Sequence, residues 1–157
     1  MVAEFYDWYI SEAYPTRYDY YQVPPFVKQG KTTYLFDVLE YEKRLRTISA
    51  LSERFINESV QRLTICNEEM QKIEWEAEPE PQFNIPPCNY LWGDTWVGGQ
   101  GEEIDGFAIR SSAIQSDGSV VCTVDILIDQ EKFVRSDVIV SKQDNIYKID
   151  AIALLWK

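Results

Sequence analysis

The chain has no histidine. That removes Ser-His-Asp and Cys-His mechanisms and leaves carboxylates, lysines or a bare thiol for acid–base or nucleophilic work. Asp125 is the carboxylate that stands out, a polar residue inside the apolar run Val120 to Asp129, VVCTVDILID. If its face of that strand lines a cavity, it could act as a base or anchor a ligand. The plainer reading has it facing solvent with Asp129. Glu102, Glu103 and Asp105 could gather around calcium, but they lack the ligand spacing of an EF-hand loop and read as solvated loop charge. Gly98-Gly99-Gln100-Gly101 lacks the Lys-Ser/Thr of a phosphate loop and opens no obvious helix, so it reads as a turn before a strand. The cysteines, Cys66, Cys88 and Cys122, are an odd count at wide spacing, which excludes a disulfide framework and a Cys-x-x-Cys zinc pattern. A Cys66–Cys88 bridge would need an oxidising compartment, and the default reading leaves all three as thiols. No metal, cofactor or catalytic residue is expected.

The elements that would position these residues are legible in the hydrophobic pattern. Val120, Cys122, Val124, Ile126 and Ile128 alternate onto one wholly apolar strand face, with Val121, Thr123, Asp125, Leu127 and Asp129 on the other. Asp117-Gly118 ahead of this run signals a hairpin, with Gly106 to Ser116 as the partner strand and Phe107 and Ile109 on one side of it. Lys132 to Ser141 alternates again through Val134, Val138 and Val140. Asp144-Asn145 is a second hairpin signal, and Ile146 to Trp156 closes the chain as a strand. Four strands in meander order predict an antiparallel sheet.

The earlier part of the chain reads mostly as helix. Val2, Phe5, Tyr6, Tyr9 and Ala13 share a helical face with Trp8 beside it, and Pro15 should stop that helix. Thr16 to Gln29, rich in tyrosine and carrying Pro24-Pro25, predicts loop or short extended structure. Apolar residues then recur three or four apart from about Tyr34 to about Trp75. Thr33 or Asp37 could cap the start, and a hydroxyl-rich break near Thr47 to Ser52 would give two helices. Glu68 to Glu80 holds six acids and one lysine, and its Glu-Pro-Glu-Pro end cannot continue a helix. The reading is a single α+β domain over 1–157: helices over about 2–75, an acidic proline-rich loop over about 76–88, and a sheet over about 89–157. Asn89 to Gly101 would be a short strand or arm leading into it. The last 76 residues could not stand alone, since one sheet face would be uncovered.

Net charge is −11, split −6 over residues 1–81 and −5 over 82–157. A uniformly acidic surface excludes nucleic acid as a partner, because phosphates need a basic footprint. It suits ordinary solubility, or a protein partner with a basic surface. No stretch approaches the roughly 20 apolar residues of a membrane span. The first residues lack the basic start of an export signal, so the sequence as it stands reads as cytoplasmic; a chain whose export signal had been trimmed would look the same and would be periplasmic. The aromatics, 5 Trp, 10 Tyr and 7 Phe, fill cores, line pockets or anchor interfaces.

Helices first, an aromatic start in Phe5-Tyr6-Asp7-Trp8-Tyr9, then a meander to the C-terminus: this order resembles the nuclear-transport-factor-two-like, or cystatin-like, α+β cone fold, in which helices pack into a bent sheet. The approach Trp92…Trp96-Val-Gly-Gly-Gln100 and the end Asn145 to Ile152 resemble a bacterial family of uncharacterised domains in that superfamily. Members of that family often end in a Trp-Lys-Ile-Asp-type strand, where this chain has Tyr147-Lys148-Ile149-Asp150. Exported members of that family revive the periplasmic reading. The superfamily includes isomerases and dehydratases, small-ligand binders and immunity proteins that block toxins. Its enzymes typically use Asp or His dyads, and this chain has no recognisable dyad. The resemblance therefore implies a non-enzymatic binding protein, of the toxin-neutralising immunity type, acting through an acidic, aromatic surface. The alternative it implies is a small-ligand binder or enzyme with a pocket in the cone, walled by Phe5, Trp8, Tyr9, Trp92, Trp96, Phe107 and Tyr147 with Asp125 as the polar anchor. A carboxylate with a raised pKa would mark that alternative. Pairing of two copies through the open sheet is a further expectation.

Overall fold

The computed structural model describes residues 1–17, 20–21, 24–76, 88, 96–99 and 102–156. The chain is α+β, its described residues forming an N-terminal helix, a small hairpin, two further helices and a four-stranded antiparallel sheet.

The first helix runs as α1 (Val2–Trp8), a π-helical turn (Tyr9–Ala13) and α2 (Tyr14–Arg17). It buries Val2, Phe5, Tyr6, Tyr9 and Ala13, the face that the spacing predicts. Pro15 does not stop it. Proline lacks an N–H, and its ring clashes with the carbonyl four residues back in a regular helix. Here the preceding turn is widened, with the Tyr14 N–H bonding the Tyr9 carbonyl, and the helix continues past Pro15 to Arg17.

Tyr34 does not begin a helix. Thr33–Phe36 is a strand, β2, paired antiparallel with β1 (Phe26–Gln29) across a turn in which Gly30 has φ +85°. Its apolar run is short and buried, so periodicity alone could not separate it from helix. What fixes it is tertiary. Asn67, buried on the later helix, accepts from the Phe36 N–H at 2.9 Å and donates to the Phe36 carbonyl at 3.0 Å, serving as a strand would. Asp37 caps α3 (Val38–Arg46), its carboxylate accepting from the Glu40 N–H at 2.9 Å. The expected break follows, and Ser52 caps α4 (Glu53–Met70), its hydroxyl accepting from the Phe55 N–H at 3.0 Å.

The sheet is β3 (Gly106–Ile114), β4 (Val120–Ile128), β5 (Glu131–Gln143) and β6 (Ile146–Leu155), in sequence order and antiparallel throughout. Asp117-Gly118 lies in a three-residue loop closed by the Gln115 N–H on the Ser119 carbonyl, with Gly118 at φ +84°. Asp144-Asn145 forms a two-residue turn with both φ positive. A third tight turn, Asp129-Gln130, has φ +52° and +65° and carries no glycine or asparagine to announce it. Each strand pair has one register shift, near Arg110, Lys132–Phe133 and Asp150.

The helices cover the face bearing Val124, Ile126, Val134, Val138, Val140 and Ile149, all 3% exposed or less. The break between α3 and α4 is fastened to the edge of β6: the Ile149 N–H bonds the Ala50 carbonyl, and the Ser52 N–H returns to the Ile149 carbonyl. Lys148 Nζ donates to the Ser49 carbonyl beside them. Cys66 on α4 is joined to Cys88 by a disulfide, so two cysteines read as default thiols are linked. The acidic proline-rich loop and the Asn89 to Gly101 arm lie mostly outside the described residues.

Candidate functional site

Three places hold the residues that the sequence singles out. The first is an aromatic cluster beneath the first helix. Phe5 stacks on Tyr9 at 5.9 Å between ring centroids, and Trp96 lies 5.5 Å from Phe5 and 5.0 Å from Tyr9. Trp8, partly buried, reaches Phe5 and Tyr9 at 6.1 Å, and Phe107 joins through Tyr6 at 5.6 Å. The fold thus brings Phe5, Trp8, Tyr9, Trp96 and Phe107 into one neighbourhood. They touch one another there, Phe5, Tyr9 and Trp96 being buried. Trp92 lies outside the described residues. Tyr147 is 48% exposed, next to the β5–β6 turn.

Tyr6 sits at the floor of this cluster, fully buried, and donates to Ser136 Oγ at 3.3 Å and the Trp96 carbonyl at 3.4 Å. Burial pushes its phenol up to about 12, partly offset by the Ser136 hydroxyl. This polar contact through the core fixes the helix against β5. No sequence signal marked Ser136 beyond its even spacing with Val134 and Val138.

The second place is Asp125, on the opposite face of the sheet from the aromatic cluster, since it alternates with the buried Val124 and Ile126. It does not face solvent with Asp129. Its side chain is 3% exposed, covered by two arginines from the neighbouring strands. Arg135, directly opposite on β5, donates from Nε to Oδ1 at 2.7 Å and from Nη2 to Oδ2 at 3.2 Å. Arg110, the extra residue of the β3 bulge, donates from Nε to Oδ2 at 2.7 Å. The Arg135 guanidinium, opposed by burial and aided by Arg110, lowers the carboxyl pKa to about 2. An ionised acid so held is a poor base, and the raised pKa that the pocket reading requires is reversed here. Cys122, the free cysteine, is half-buried, and burial pushes its thiol up, the opposite of what an activated nucleophile needs.

The third place is the end of the sheet where β3 begins and β4 turns into β5. The register sets Gly106 against Leu127 and Ile128 against Glu131, which brings Glu102, Glu103 and Asp105 to the same end as Asp129 and Glu131. All five are exposed, with Lys132 among them. Trp156, 56% exposed, lies at this end edge-on to Phe133 at 5.9 Å. Gly98 comes so close to it that an added Cβ would lie 2.9 Å from the indole ring. Among the described residues no group of three or more His, Cys, Asp or Glu side chains could hold a metal ion. No helix among them is long and apolar enough to cross a membrane.

No protein-family model, no curated protein and no solved structure matches the chain.

Proposed function

We propose that this chain is a non-enzymatic binding protein that docks a protein partner with a basic surface, and that the toxin-neutralising, immunity-type role is the form this binding takes. The single observation that carries the reading is the acidic end of the sheet, where five exposed carboxylates share one end with an exposed tryptophan. Tryptophan in a partly packed setting is the residue type that anchors interfaces, and a surrounding field of one sign steers an oppositely charged partner to it. The net charge of −11 extends that field over the molecule.

The cone-like, cystatin-like architecture belongs to the same proposal. It is supported by helices lying on one face of the sheet and by a register shift in each of the three strand pairs of that sheet, since bulges bend and twist the strands that carry them. Export belongs to it as well, supported by the Cys66–Cys88 disulfide, which persists in oxidising compartments.

Native mass spectrometry of the chain purified gently from its own host tests the reading. The expected result is a stoichiometric adduct with a basic protein, lost on raising the salt and lost with Trp156→Ala. An adduct that survives Trp156→Ala combined with Glu102→Gln, Glu103→Gln and Asp105→Gln would overturn the acidic end as the docking surface. A small bound mass in place of a protein would overturn the protein-binding reading.

A further inference from the structure

We propose that the outer face of the sheet binds a carboxylate with an apolar body, held by the donors that Arg110 and Arg135 leave free. The two guanidinium groups meet on one oxygen, Asp125 Oδ2, so Arg110 Nε and Arg135 Nη2 are no farther apart than bonds of 2.7 and 3.2 Å laid end to end. Arg110 spends only Nε on this contact, and Arg135 spends Nε and Nη2. Nη1 and Nη2 of Arg110 and Nη1 of Arg135 make no further hydrogen bond among the described residues. The two side chains are 53% and 41% exposed, so these donors reach solvent while Asp125 beneath them, 3% exposed, does not.

Two positive groups share the buried Asp125 charge, with Asp137 also acting on Arg135, and the fork geometry of arginine matches a planar carboxylate. The buried carboxylate also orients both forks before any ligand arrives, which is the condition for tight recognition by long side chains. Asp137, the other carboxylate nearby on β5, accepts from the Thr123 hydroxyl at 2.8 Å and lies two residues from Arg135. The acids at the end of the sheet are farther off: Glu131 is four residues from Arg135, about 13 Å along a strand, beyond the screening length at physiological salt.

The overall charge selects the ligand class. A molecule at −11 repels a doubly charged phosphate more than a singly charged carboxylate. The neighbours select its body. Ala108 faces Asp125 from β3, Leu155 faces Arg135 from β6 at 43% exposure, and Ala153 faces Asp137, leaving a low apolar floor beside the arginines.

The test is a titration of the full chain, labelled at the arginine Nε, with sodium hexanoate, sodium acetate and inorganic phosphate against sodium chloride at matched ionic strength. The Nε–H signals of Arg110 and Arg135 should shift saturably with hexanoate. Affinity for hexanoate should exceed that for acetate by about fourfold for each methylene buried. Arg110→Gln, on an edge strand and half exposed, should abolish saturation while amide shifts stay confined to the residues around Asp125. Leu155→Ser, which leaves both guanidinium groups in place, should weaken hexanoate and spare acetate. Shifts that follow the chloride titration, tighter binding of phosphate than of hexanoate, or unchanged binding in Arg110→Gln would overturn the proposal. None of these outcomes bears on the protein partner at the acidic end, which the adduct experiment decides separately.

Discussion

Asp125 shows how a residue can be placed on the correct strand face and its exposure still be misread. Its polarity within an apolar strand is visible in the sequence, but whether it meets water depends on Arg110 and Arg135, fifteen and ten residues away. The cross-strand register and a bulge set those positions. The carboxyl is ordinarily near 3.8 and lies near 2 in the fold, so the unfolded chain takes up its proton first. The stability it contributes is therefore present above about pH 4 and lost as pH falls toward 2. Asp125→Asn should lower stability at pH 7 by about 1.5–3 kcal/mol, the worth of hydrogen bonds to charged groups. In urea denaturation series the gap between variant and parent should close as the pH drops through that window. Tyr6 behaves in the opposite sense at the alkaline end, because its buried phenol resists ionisation up to about 12. Tyr6→Phe should remove the highest-pH step from the tyrosinate absorbance titration. It should also cost about 1–2 kcal/mol, since Ser136 is left buried without its partner.

Whole elements were more legible where a local signal and the hydrophobic period agreed. The caps Asp37 and Ser52, the break between α3 and α4, and the alternation of β4 and β5 all follow from residues within one turn or one strand of each other. Pro15 and Thr33–Phe36 depart from expectation because the deciding partner is elsewhere: a widened helical turn in one case, the Asn67 side chain in the other. The Asp129-Gln130 turn is a similar case, a left-handed pair in which Asp tolerates positive φ but Gln gives no local signal. The Cys66–Cys88 disulfide closes a loop of 22 residues and ties α4 to the segment that leads to Trp96. Cross-linking a loop of that length restricts the unfolded chain by an amount worth about 3 kcal/mol. Denaturation with and without reductant should show a loss of about that size. Thiol counting under denaturing conditions should find one reactive cysteine, Cys122, before reduction and three after it.

At the scale of the molecule, the acid excess is a property of the whole chain, and it should tax the compact state through self-repulsion. The exposed pairs Arg46–Glu53, Arg46–Glu42 and Arg54–Glu58 offset little of it, since exposed ion pairs are screened by water and salt and lose side-chain entropy. Raising sodium chloride from 10 to 300 mM (about 30 and 6 Å of screening length) should therefore raise the melting temperature by a few degrees in calorimetry, roughly 1 kcal/mol of relieved repulsion. A melting temperature that falls with salt would mean that the ion pairs, Asp125 with its two arginines first among them, outweigh the repulsion.

The sequence by itself determined the class of the fold, α+β with helices ahead of an antiparallel meander, because helical and strand periods and turn residues are local and act within a few positions. It also determined the acidic character, since charge is additive along the chain, and it excluded histidine-based chemistry by composition. Only the tertiary structure decided what covers and neutralises Asp125, and that Cys66 meets Cys88. It also decided that the five carboxylates of 102–105 and 129–131 share one end of the sheet with Trp156. Each of these rests on strand register or on a contact between segments distant in sequence. A shift of one residue reverses a strand face, and no local preference records which register the chain adopts.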